Sequence, residues 1–387
     1  LLIDDVVLTT AGKNLEIRVA EVGDNRFVAS WFDSNNSVGS EIYGRIIDGS
    51  GESISADLQF NSTALYNQQA PEVVGLKDGN FAVVWQSDTD GTETYDIIAR
   101  LFDREGDAIT DEIIINEITL GEQTKPSIAT SSSDEIVIAW QTNETGVNEV
   151  LYQTLDFDGR LKSGNKKLSI DDNGDFVGGE DVTLTTLEDG HIVAAWDDQT
   201  GNIYAKNINE NTETEINSAL LTVSTAAEGA SDRTSIAALP LGGFVSVWHE
   251  GGGKDGDGQG VFGRIIDENY NRSGEEFLIN TLTTSHQSKA FVASLSDGTF
   301  MVVWSGGDGS SQGQVFSSSA VKIGEQFEIG PWFNQEAYII GTADNKFMVV
   351  RGQNNQDSGI LSVYDATGNL LIDDVVLTTA GKNLEIR

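Results

Sequence analysis

The sequence contains no cysteine. Disulfides, thiolate metal sites and a cysteine nucleophile are excluded at once. Proline is scarce, at 4 of 387 residues, so the chain does not read as a Pro-rich linker. Basic charge is also short: 23 Lys and Arg stand against 61 Asp and Glu, a formal net charge of -38. That field repels a phosphate backbone, so nucleic acid is not an expected partner. It repels an anionic bilayer for the same reason. No apolar run reaches the roughly 18 residues a spanning helix needs, so membrane insertion is not expected either. Leu1 to Val7 carry two Asp and no basic residue, so this stretch is not read as a signal peptide. The leader of a secreted parent would lie outside this piece. There are three histidines, His191, His249 and His286, with no metal-ligand spacing among them, and a zinc site is not expected.

Glycine, by contrast, is abundant at 42 residues, as many tight hairpins require. A short pattern recurs through the chain: a turn, then alternating aliphatic residues ending in Trp. It closes on Trp31, Trp85, Trp140, Trp196, Trp248 and Trp304, and a seventh copy ends on Arg351. The intervals are 54, 55, 56, 52, 56 and 47 residues by subtraction. A period near 50 with short strands is the mark of propeller blades. The second unit resolves into four strands: PEVVGL from Pro71, the Phe81–Trp85 run, YDIIARLF from Tyr95 and DEIIIN from Asp111. The last two are joined by Asp103–Gly106, a turn that returns at Asp48–Gly51, Asp156–Gly159 and Asp365–Gly368. Asp at its first position accepts backbone hydrogen bonds, and Gly at its last relieves the steric cost.

The expected fold is therefore all-β: a seven-bladed β-propeller with four-stranded antiparallel blades, one domain over 1–387. The blades fall near 10–61, 62–117, 118–170, 171–224, 225–281, 282–330 and 331–378. Phe81, Val83 and Trp85 share one face of their strand and Ala82 and Val84 the other, so both faces need cover. The six repeat Trp are accordingly read as inter-blade packing, with a Trp-lined sugar groove as the competing use.

Residues 1–18 are identical to 370–387. The expected reason is a parent protein repeating at 369 residues. Each copy holds one outer strand and the start of an inner one, and a closed ring has room for one of each. Propellers commonly close by completing one blade from both termini, which removes exposed edges. Either Leu1, Ile3 and Val6 or Leu370, Ile372 and Val375 should then belong to the closing strand. The spare copy would hang free or pair with an adjacent unit.

Chemistry is harder to place. Short-spaced carboxylates with Gly can wrap Ca²⁺. The candidates are Asp88 and Asp90, Asp171 and Asp175, and Asp255 and Asp257, none with a complete EF-hand spacing. Glycoside hydrolysis needs two carboxylates about 5–10 Å apart, and 61 acids hide any such pair. The Asp-Gly hairpins depart from the Asp boxes of sialidases: Ser296, Asp297 and Gly298 are consecutive and Trp304 lies too far on.

The segments Asp78–Trp85 and Asp297–Trp304, with Glu41–Asp48 and Gly260–Asp267, resemble the roughly 50-residue DGxFxVxW repeats of giant bacterial secreted proteins such as RTX-type adhesins. The resemblance implies an extracellular, cell-surface location and an adhesive or scaffold role. The Ca²⁺-binding nonapeptides of those proteins are absent. The resulting expectation is a non-enzymatic adhesion or structural module with no catalytic residues. It would act on adjacent copies of itself or on another surface protein, with strand exchange by the duplicated end. The alternative is a lectin-like propeller binding glycan, Ca²⁺-assisted, and the third reading is a glycoside hydrolase-like enzyme.

Overall fold

The structure is a computed structural model. It describes residues 14–36, 39–62, 66–89, 91–92, 94–198, 200–208, 220–225, 232–331, 336–353 and 358–376. Seven four-stranded antiparallel sheets follow one another along the chain, each built from four consecutive strands. This is the seven-bladed β-propeller that the repeat predicts. The innermost strands, A, are Asn14–Gly23, Gln68–Gly75, Gln123–Thr130, Glu180–Thr186, Asp232–Ala238, Ser288–Ser294 and Tyr338–Gly341. Each packs on the A strand of the next blade, and the first packs on the last, closing the ring.

The repeat pattern forms strand B because both of its faces are covered. Phe81–Asp88 is buried at every position. The six Trp rings are at most 1% exposed and sit in the hydrophobic layers between neighbouring blades. A sugar groove on these rings is ruled out by their burial. Several indoles are anchored at Nε1: Trp85 and Trp140 donate to Gln68 and Gln123 at 3.1 and 2.9 Å, and Trp196 donates to the Gly178 carbonyl at 3.1 Å. The C–D turns use their Asp as the sequence suggests. Asp48, Asp103, Asp156 and Asp365 each accept the backbone N–H groups two and four residues on.

Closure uses the second of the two expected copies, without combining strands from both termini. The seventh blade takes all four strands from one stretch of chain, and its outer strand is Leu370–Val376. That strand pairs with Ser358–Asp365, with Val363 opposite Ile372 and Leu361 opposite Val375. Among the described residues no blade combines strands from both ends. The tight Asp365–Gly368 turn delivers the outer strand locally, so no distant one is required. Leu1, Ile3 and Val6 lie outside the described residues. The ring is sealed by side chains instead: Ile17, Val19 and Trp31 of the first blade pack with Met348, Val350 and Leu361 of the seventh.

Candidate functional site

The A strands surround an axial funnel of about 200 Å³. Its lining follows from one local feature repeated around the ring. In blades 1 to 6, strand A breaks register with strand B just before the residue paired to the position preceding the repeat Trp. A β-bulge of this kind re-aims a side chain. The residue two places earlier has positive φ every time: Glu16 55°, Ala70 50°, Lys125 53°, Asp181 48°, Arg233 58° and Lys289 55°. Non-glycine residues pay of order 1–2 kcal/mol for this conformation. In blades 3, 4 and 5 the preceding blade holds it in place. Gln86, Gln141 and Asp197, each the residue after a repeat Trp, accept the bulge N–H of Lys125, Asp181 and Arg233 at 3.0, 3.4 and 3.2 Å.

Two tiers result. The bulge tier carries Glu16, Ala70, Lys125, Asp181, Arg233 and Lys289, with Glu336 at the matching place in blade 7. The paired tier carries Arg18, Glu72, Ser127, Thr183, Ser235, Phe291 and Tyr338, opposite Ser30, Val84, Ala139, Ala195, Val247, Val303 and Val350. The halves of the funnel differ. On one side Ser127 and Ser235 accept backbone N–H groups of Leu184 and Val292 at 3.0 and 3.2 Å. On the other, Phe291 and Tyr338 meet edge to face, with ring centroids 5.5 Å apart. The Arg18 guanidinium lies over both rings, 5.0 Å from Tyr338 and 5.8 Å from Phe291.

Acids and bases pair here. Arg18 Nε donates to Glu72 Oε1 at 2.6 Å, and Lys125 Nζ lies 2.6 Å from Asp181. Glu336 pairs with Arg233 and, at 3.7 Å, with Lys289, so one carboxylate bridges cations of blades 5 and 6 to blade 7. Burial pushes the Glu72 carboxyl above the usual range; Arg18 opposes the shift and Glu16 adds to it. The Glu72 side chain keeps 21% exposure, toward the funnel. Burial also raises the Tyr338 phenol, with the Glu72 charge adding to the rise, so it stays protonated. The arrangement supplies a carboxyl poised to hold a proton, further carboxylates beside it, and an aromatic corner in a confined polar cavity.

No family model matches the chain, and no curated protein matches it in sequence. Solved structures do match in fold. An α-L-arabinanase from Penicillium chrysogenum, complexed with arabinobiose, aligns at TM-score 0.55 and 12% identity over 95% of this chain and 99% of its own. An α-L-arabinofuranosidase from Fusarium graminearum, with an iminosugar inhibitor, aligns at TM-score 0.53 and 12% identity over 94% and 97%. A mutant of the NanB sialidase from Streptococcus pneumoniae aligns at TM-score 0.50 and 10% identity over 97% and 70%. The shared fold is a propeller that carries glycosidases. This corrects the expectation of a non-enzymatic adhesion or structural module: these three propellers bear glycosidase names, and no finding supports an adhesin. The identities are low enough that the likeness concerns fold alone, so the chemistry is argued from the funnel.

The Ca²⁺ candidates are placed elsewhere, and the oxygens of Asp88, Asp171, Asp255 and Asp257 face protein donors. Asp88 accepts the Gly91 N–H at 2.7 Å; Asp90 lies outside the described residues. Asp171 accepts the N–H groups of Asn173 and Asp175 at 2.8 Å each. Asp255 accepts from Asn280 at 3.0 Å and from the Asp257 N–H at 3.2 Å, while Asp257 accepts the Ser285 N–H at 3.2 Å. Among the described residues no three His, Asp or Glu side chains gather as a metal-holding group.

The funnel residues escaped the sequence reading. Their signal was present: seven A strands aligned on the repeat Trp and Arg351 place one residue per unit in each tier, polar or aromatic everywhere but at Ala70. The bulge hides it, because it breaks the strict alternation a strand pattern relies on.

Proposed function

We propose that the chain is a glycoside hydrolase-like propeller that takes the end of a glycan into its axial funnel. The observation that carries this is Glu72: a half-buried carboxyl, raised in pKa, facing the cavity beside the exposed Glu16. Glycosidases need one carboxyl that keeps its proton and a second that does not, set apart by environment. Glu72 donates the proton to the leaving oxygen, and Glu16 is the second carboxylate. Arg18 orients Glu72 through its Nε–H, while Phe291 and Tyr338 supply an apolar wall of the cavity. A cavity of about 200 Å³ is below the 300–1,000 Å³ of typical ligand sites and suits one terminal unit. An extracellular location, where glycan polymers are met, accords with this reading and with the acidity of the chain.

The test is sugar release from a panel of arabino-oligosaccharides, xylo-oligosaccharides and sialosides, followed by chromatography. Glu72→Gln should lower the rate on any active member by about 10²–10⁴-fold with unfolding unchanged or improved. Binding without release in the wild type would move the reading to a lectin-like propeller. Neither binding nor release across the panel would sink it.

A further inference from the structure

The connection between blades 3 and 4 is unlike the others. Twelve residues, 168–179, separate the outer strand Lys166–Lys167 from the inner strand Glu180–Thr186, against six to nine in the other blade-to-blade connections. The extra length folds as a small hairpin. Ile170 bridges Phe176, and Asp171 closes the turn by accepting two backbone N–H groups. The acidic run singled out in the sequence is thus the turn that presents Phe176. This ring is 48% exposed, as is Val147 from the B–C loop of blade 3. Both border a cleft of about 280 Å³ with Asn148, Gly178, Asp198 and Thr200.

The cleft is built from structured parts. Asp198 is fixed by Thr200 and Asn202, which donate to it at 2.8–2.9 Å. Gly178 has φ 80°, and a Cβ there would come within 3.1 Å of the Asp198 Cβ, so glycine keeps the floor open. The cleft is tied to a funnel-lining strand of blade 4. Asn148 donates to Glu180 at 2.7 Å, and Glu180 adjoins Asp181, which lines the funnel. B–C loops and the starts of A strands share one face of the ring, as Gln68 paired with Ser87 illustrates.

We propose that this cleft is a distal subsite for a neutral glycan chain whose terminal unit occupies the funnel. An exposed ring beside carboxylate and amide groups fits a sugar, stacking one face and hydrogen-bonding the hydroxyls. The acids Asp171, Asp175 and Asp198 around it repel uronates and sialic acid, which selects an uncharged chain. The proposal rests on the funnel reading.

The experiment is calorimetric titration of arabino-oligosaccharides from dimer to hexamer into the Glu72→Gln protein, alone and combined with Phe176→Ala or Phe176→Trp. Affinity should rise along the series. Phe176→Ala should remove about three- to tenfold of that gain and leave the dimer unchanged, and Phe176→Trp should retain the gain. Equal affinity for every length, or an equal loss at every length in Phe176→Ala, overturns the distal subsite and leaves the funnel standing. Length-dependent binding that needs Phe176, with no sugar released by the wild type, upholds the subsite and sinks the catalytic reading. No binding at any length sinks both.

Discussion

Glu72 and Arg18 show how burial and pairing compete at one site. Removing a carboxylate from water raises its pKa, and an adjacent guanidinium lowers it. Here burial wins, with the repulsion of Glu16 added. The folded pKa is therefore above the unfolded value of 4.5. For an acid shifted this way the cost to stability is absent below the unfolded pKa and grows as pH rises through the folded one. Arg18→Met should enlarge that cost by leaving Glu72 unpaired. Breaking a buried pair typically costs 3–5 kcal/mol; because Glu72 is open to the funnel, about 2–3 kcal/mol is expected at neutral pH. Urea unfolding across pH 4 to 8 checks this. The deficit of the variant should shrink toward pH 4, and a deficit independent of pH would assign Arg18 a packing role over the two aromatic rings.

At the scale of the element, strand A does two tasks that pull its backbone apart. It must pair with strand B to hold the blade, and it must turn side chains into the funnel. The bulge reconciles them, and the strained residue in it makes a specific prediction. Ala70 has φ 50° and no charge to contribute, so Ala70→Gly should be neutral or stabilising by up to about 1 kcal/mol. The same change at Ala82, buried inside a regular strand, should cost about 1–2 kcal/mol through lost packing and chain entropy. Thermal unfolding of the two variants compares them, and a larger loss at Ala70 would contradict strain at the bulge. This element also marks where the sequence stops being legible. Strand B was readable because Phe81, Val83 and Trp85 alternate with Ala82 and Val84, and burial on both faces enforces that pattern. The C–D turns were readable because Asp and Gly recur at fixed offsets. Arg18, Glu72 and Tyr338 were not, since their role depends on a register break and on blades distant in sequence. Phe176 was passed over beside its conspicuous acids, whose work is to shape the turn beneath it.

For the whole molecule the question is what keeps a ring of seven sheets closed. A blade completed from both ends would be locked by backbone hydrogen bonds between chain termini. This propeller instead joins blade 1 to blade 7 through the same kind of side-chain layer that joins every other pair of blades, with Trp31 and Ile17 against Met348 and Leu361. The outer strand Leu370–Val376 then matters for blade 7 alone. It covers the edge of Ser358–Asp365, and its Ile372 packs beside the closing layer. Ending the chain at Asn369 would expose that edge, which is a template for pairing with another chain. The truncated protein should keep its strand content, unfold at lower temperature and self-associate in a concentration-dependent way, as circular dichroism and light scattering would record. Replacing Ile372 by Ala in the full chain separates the two contributions. It removes side-chain packing without uncovering the edge, so stability should fall by about 2 kcal/mol or less for a half-buried site while the protein stays monomeric. If the truncated chain remained monomeric and as stable as the full one, the outer strand would be dispensable, and the side-chain layer between blades 1 and 7 would carry closure by itself.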